Sequence, residues 1–271
     1  MMRWLLLLML SSWAPRALAE VCDDDGRGLL TGPVSFSLLP GERAEPHRAC
    51  PRSGVFAGVD GQAVIRPSEF YGNLQGGVVF GGSTTFGDRL ELFGALEPLF
   101  AQQVISSLRA THIGGGHGSL GAMLQLKRTG SLALSIMTRT TVPLPYGPYL
   151  QAWPVGLDVG PLLSLEVRPN LMLHGGAIAT GSVVLSRGPW LPRAGLLGYG
   201  GAEVALTPWL TLVADAQVLT LYTNPLDYLS AQAALRAGPW GPLGIELYAS
   251  APLAGANRTL AGGGLRVSYR L

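Results

Sequence analysis

A period-two alternation running almost without a break from residue 54 to residue 271 constrains this chain more than any other feature. In the stretch VGLDVGPLLSLEV, Val155, Leu157, Val159, Pro161, Leu163, Leu165 and Val167 form one set, while Asp158, Ser164 and Glu166 fall in the other. Successive side chains of a strand point to opposite faces, so such a segment has one apolar and one polar face. TPWLTLVADAQVLTLY repeats the pattern, with Leu210, Leu212, Ala214, Ala216 and Val218 set against Asp215 and Gln217. Helical periodicity never takes over. The alternating segments fall near 54–66, 72–86, 89–99, 118–128, 131–144, 155–167, 171–185, 194–207, 210–222, 228–237, 243–253 and 259–271. That gives about twelve strands. Asp60-Gly61 can also be read as a hairpin turn inside the first of them, and about ten strands is then the alternative.

The apolar faces need a solvent. Charged residues make up only 13% of the chain, against about 25% in ordinary soluble domains. The N-terminus carries an export signal. Arg3 supplies a positive start, residues 4–10 (WLLLLML) a short apolar run, and Ala17-Leu18-Ala19 a small-residue cleavage site before Glu20. Residues 1–19 are therefore expected to be a signal peptide, too short in its apolar part to span a bilayer as a helix. No later apolar run is long enough for a spanning helix either. Bilayers accept helices or closed barrels, because an unpaired backbone group in lipid is costly. An exported, hydrophobic chain without spanning helices is thus expected to be all-β, an antiparallel up-and-down transmembrane barrel.

Cys22 and Cys50 both fall in residues 20–52, just after the signal. In an oxidising compartment such a pair is expected to form one disulfide. This Gly/Pro-rich segment is expected to be a small periplasmic loop or plug, with the barrel in 53–271. The net charge of +2 and the lack of a basic stripe exclude nucleic acid as the main partner.

The connections alternate in kind. Short turns are expected at 86–88, 129–130, 168–170, 207–209 and 238–242, and longer Gly/Pro-rich links at 99–118, 141–154, 186–193 and 223–227. Short turns on one rim and long loops on the other are typical of outer-membrane barrels. Phe86, Trp209, Tyr222, Tyr228, Trp240 and Tyr269 stand near segment ends, as aromatic girdles do.

The last strand, Leu265-Arg266-Val267-Ser268-Tyr269-Arg270-Leu271, resembles the C-terminal insertion signal of Gram-negative outer-membrane β-barrel proteins. Tyr269 matches the aromatic third from the end; Leu271 stands where that family has a terminal aromatic. The segments from Thr84 to Pro98 and from Leu206 to Val218 resemble its strand–tight turn–strand units. The resemblance implies outer-membrane lipid as the surroundings and the barrel-assembly machinery as a partner of the last strand. It implies no substrate and no oligomeric state.

In that setting the polar face lines the lumen. Its residues are Arg89, Glu91, Glu97, Lys127, Arg139, Asp158, Glu166, His174, Glu203, Asp215, Gln217, Arg236, Glu246, Arg266 and Arg270. Acids and bases nearly balance, which favours a structural ion-pair network over a selectivity filter, since a filter would show one sign in excess. The expected activity is passive, a small-solute pore or a structural barrel. No cofactor or metal site is expected: the G-x-G-x-x-G match at 116–121 lacks a βαβ context, and His174 has no clustered ligands. Two other readings exist. His112, His117 and Ser119 near a long-loop rim allow a membrane-embedded lipid hydrolase, though the G-x-S-x-G elbow is absent. A soluble exported ligand-binding barrel would bury its apolar face instead.

Overall fold

The computed structural model describes residues 22, 49–66, 71–105, 110–144, 152–186, 191–222, 224–240, 243–254 and 259–271. Its strands are β1 (Gly54–Arg66), β2 (Tyr71–Phe86), β3 (Leu90–Ile105), β4 (Ala110–Gly114), β5 (His117–Thr129), β6 (Leu132–Pro143) and β7 (Ala152–Arg168). Then follow β8 (Leu171–Ser186), β9 (Leu191–Thr207), β10 (Leu210–Leu221), β11 (Asn224–Trp240), β12 (Leu243–Ala254) and β13 (Thr259–Arg270). Every pairing is antiparallel, between neighbours in the chain except for β3 with β5, and β1 pairs with β13 to close the ring. β4 and β5 pair with β3 in one register, Ile113 opposite Ala101 and Gly118 opposite Leu96. They form a single stave interrupted at residues 115–116, so the barrel has twelve staves.

Several sequence expectations need correction. The expected 223–227 link is strand from Asn224 on, because β11 begins there with Asn224 opposite Leu221. The Asp60-Gly61 pair makes no hairpin. Asp60 lies opposite Gly264 on one side and Gly77 on the other, in the middle of one continuous strand. The 99–118 link is largely sheet, because β3 runs on to Ile105 and β4 returns beside it.

What hid this extension is a bulge at Pro98. Phe80 faces Leu96, but Val78 faces Leu99. Proline has no N–H to give to the ladder, and bulges are where sheets tolerate it. The extra residue reverses the parity of the strand. Phe93, Ala95 and Glu97 point inward before it, and Phe100 and Gln102 after it, while Pro98 and Leu99 both point out.

The two faces have inverted roles relative to a soluble protein. Outward residues include the exposed Val59, Leu96, Leu120, Leu157, Leu212, Leu247 and Leu265. The buried set is rich in Glu, Arg, Asp, Gln and Ser. A belt of exposed leucines around a closed sheet with charges inside marks a surface that meets an apolar medium. Gly87 and Gly130 occupy turns with positive φ, 59° and 25°, a conformation that a side chain would strain.

Of the expected girdle residues, Phe86, Trp209 and Tyr269 are exposed at the short-turn rim, and Tyr222 is exposed at the opposite one. Tyr228 is a correction. It is 1% exposed, inside the barrel, because alternation with outward-facing Leu229 and Ala231 turns it inward opposite Leu219. The Trp240 side chain lies outside the described residues.

Candidate functional site

The site is the lumen, built by one inward residue in two on every strand. Its short-turn half is occupied. The Cys22–Cys50 disulfide lies inside the mouth of the barrel, packed with Phe93, Met123, Met137 and Leu162. The barrel wall holds this segment by its backbone. The Ala49 N–H donates to Ser164 Oγ (3.0 Å), and Ser135 Oγ and Gln125 Nε2 donate to the Ala49 carbonyl (2.6 and 3.2 Å). Gln125 Nε2 also donates to Cys22 Sγ at 3.2 Å. The chain then leaves across the rim. The Arg52 N–H donates to Glu91 Oε2 (2.9 Å) and Ser83 Oγ to the Arg52 carbonyl (2.6 Å) before β1 begins.

On the opposite wall, seven consecutive strands, β8 to β13 and β1, contribute one ionisable residue each to a continuous belt. His174 pairs with Asp215 through Nε2 and lies 3.6 Å from Glu203 Oε1 through Nδ1. Arg236 joins Glu203 (2.9 Å) to Glu246 (2.5 Å). Arg266 joins Glu246 to Asp60, each at 3.5 Å, and its guanidinium lies 4.9 Å from the centre of the Tyr248 ring. The Tyr248 hydroxyl donates to Asp60. The register produces this belt directly, since Arg236 faces Glu246 and Glu246 faces Arg266 across adjacent strands. A separate pair, Arg139 and Asp158, faces across β6 and β7 with Nε–Oδ2 at 3.0 Å.

Inward glycines make room for these side chains. Gly201 lies between His174 and Asp215 in the cross-strand row. A methyl group there would overlap the Asp215 carboxylate and the Ala214 carbonyl. Gly77 and Gly116 likewise flank the Glu97 carboxylate. A Gly201→Ala variant is therefore expected to lose about 1–3 kcal/mol, the usual range for overpacking. Denaturant unfolding in lipid vesicles checks it; an unchanged midpoint would show that the wall yields easily there.

Glu91, Glu97, Arg139, Asp158, His174, Glu203, Asp215, Gln217, Arg236, Glu246 and Arg266 are buried in the lumen. Glu166 and Arg270 are half-buried near the short-turn rim. Arg89 and Lys127 are corrections, since both are exposed. Arg89 belongs to the β2–β3 turn, beyond the wall. Lys127 is thrown out of the inward series by a bulge at Leu126, where Gln125 faces Ser135 but Lys127 faces Leu134. His117 and Ser119 are buried at 1% and 8% exposure and share the inward parity of β5, so they face the lumen rather than lipid.

The long-loop half is more open. A cavity of about 60 Å³ lies against β1, β2, β3, β12 and β13, bordered by Gln62, Gln75, Glu97, Phe100, Tyr248 and Ser250. Sequence reading missed Asp60, Gln62, Gln75 and Gln102, because their strands were the least regular. Their inward parity can be counted from Phe56 on β1, from Val79 on β2 and, past the bulge, from Phe100 on β3. Among the described residues no cluster of His, Cys, Asp and Glu is arranged to hold a metal ion.

No family model and no curated protein sequence matches the chain. Solved structures do. The β domain of the Bordetella autotransporter BrkA superposes with a TM-score of 0.58 at 10% identity, covering 81% of this chain and 100% of that one. An outer-membrane channel from Pseudomonas putida F1 gives 0.57 at 13% identity, covering 84% and 100%. The translocator domain of the autotransporter NalP from Neisseria meningitidis gives 0.54 at 13% identity, covering 81% and 88%. The chain has the fold of the outer-membrane β-barrels of Gram-negative bacteria.

Proposed function

We propose that this protein is an integral outer-membrane barrel acting as a narrow, passive pore for small solutes, with its short-turn mouth constricted by the N-terminal disulfide segment. The observation that carries the reading is the division of the lumen. The arginines and carboxylates of the belt are buried and face one another, as do Arg139 and Asp158, whereas the long-loop half keeps a polar, partly open wall. Paired charges leave no single-sign ring to select ions. The exposed leucine belt favours a bilayer over water around the barrel. The inward direction of His117 and Ser119 keeps them from the acyl chains that a lipid hydrolase would have to reach.

Planar-bilayer recording of the reconstituted full chain tests this. The expected result is a small conductance with little preference between potassium and chloride, rising when dithiothreitol reduces Cys22–Cys50 or when both are replaced by serine. A large and strongly ion-selective conductance, or none, would overturn the pore. A conductance indifferent to reduction would overturn the constriction by the staple.

A further inference from the structure

We infer that the long-loop half of the lumen is a hydrogen-bonding track for an uncharged polyhydroxylated solute, of the saccharide class. This deepens the pore reading and rests on it. The observation is a single row of directly opposed residues. Starting from His174 on β8, the row crosses Gly201 and Asp215, then Gln232 on β11 and Ser250 on β12. It passes Gly262 on β13 and reaches Gln62, Gln75 and Gln102 on β1, β2 and β3. Each step is one strand spacing, about 4.8 Å. Because barrel strands tilt by about 35–45°, a row perpendicular to them climbs as it goes round. This one begins three residues from the short-turn end of β8 and finishes three residues from the long-loop end of β3.

The chemistry changes along the climb. At its foot the row is ionic and buried, in the His174–Asp215 pair. From Gln232 upward it is neutral, and Gln62, Gln75 and Gln102 touch solvent in the lumen. A primary amide offers donors and an acceptor together, as a hydroxyl does, so a series of amides suits a ligand with many hydroxyls and no charge. An ionic solute would want an excess of one sign, and the two carboxylates that border the cavity face basic side chains, Asp60 facing Arg266 (3.5 Å) and Glu97 facing His117 (3.8 Å). The spacing of one amide per strand is comparable to one hexose unit in an extended chain.

The adjoining cavity fits the same class. Gln62, Gln75 and Ser250 border it with neutral donors and acceptors, beside the largely buried Phe100 and Tyr248. Gly77 and Gly262, on the inward parity, leave part of its floor to backbone. Its volume of about 60 Å³ holds a few waters. That admits a hydroxyl-bearing edge of a sugar, with the rest of the chain laid along the amides.

The experiment is block of the ion current through the reconstituted full chain by maltohexaose, added to each side in turn. A saturable, reversible block is expected. Replacing both track amides, Gln62→Ala with Gln75→Ala, should raise the half-blocking concentration about tenfold, the loss of about two neutral hydrogen bonds. Thr140→Ala on the outer face should leave it unchanged. A trimer of uronic acid should block less than maltotriose. A conducting channel without sugar block, an equal block in the double variant, or a stronger block by the uronic acid trimer would each overturn the track. A protein that does not conduct fails the pore reading instead; calorimetric titration with maltohexaose, comparing wild type and the double variant, then decides the track alone.

Discussion

Replacing Arg236 by methionine is expected to destabilise the barrel by about 3–5 kcal/mol, the cost of leaving buried carboxylates without their partner. Arg236 is 7% exposed and bonds Glu203 and Glu246 at once. Without it the belt holds Asp60, Glu203, Asp215 and Glu246 against Arg266 and His174 alone. Methionine fills comparable space but cannot neutralise either acid. The loss should be largely recovered when Glu203→Gln and Glu246→Gln are added, because the penalty belongs to the uncompensated charge and not to the missing contact. Urea unfolding in lipid vesicles, followed by tryptophan emission, measures both. A loss below about 1 kcal/mol in the single variant would place the belt in bulk-like water, and the short-turn half of the lumen would then be open.

The second large effect belongs to the outer face. Ala216→Arg should cost about 2–4 kcal/mol, the range for arginine on the lipid side of a barrel at mid-depth. Ala216 is exposed and lies between Trp209 at one rim and Tyr222 at the other. Its neighbours across the sheet are Ala231 and Gly200, so an arginine there meets no steric obstacle. The whole cost is therefore that of placing a cation in hydrocarbon. A barrel surrounded by water would tolerate the change within about 0.5 kcal/mol, as exposed substitutions usually are. The same unfolding assay separates the two outcomes, and tolerance would dismiss the transmembrane reading.

Much of the wall was legible from the chain alone, for a definite reason. A strand with a different medium on each face must alternate, so β6, β7, β10 and β12 declare their faces residue by residue. The misreadings fall where one residue breaks the count. Pro98 concealed the upper half of β3, and Leu126 carried Lys127 to the wrong face. Tyr228 stands near a segment end, where a girdle aromatic is expected, but its own parity points it inward. The lumen was harder because its contents are relations between strands. That Arg236 touches Glu203, or that Gln62, Gln75 and Gln102 form a row, depends on register, which no single strand encodes. The position of Cys22 and Cys50 was equally hidden, since their pairing follows from number and compartment but their seat among Gln125, Ser135 and Ser164 does not.

The seam between β1 and β13 has a consequence for how the molecule comes into being. Gly54 pairs with Arg270 and Ile65 with Thr259, so the first wall segment to be synthesised finds its second partner only when the last one arrives. Until then a growing sheet has two unsatisfied edges, and each is a template for adding a stranger's strand. Loop closure across most of the sequence is also the slowest kind of contact to make. Completion is thus a zipper that engages once, only when the whole chain is present at the membrane, and a chain shortened by its final dozen residues should remain an open ribbon prone to aggregation.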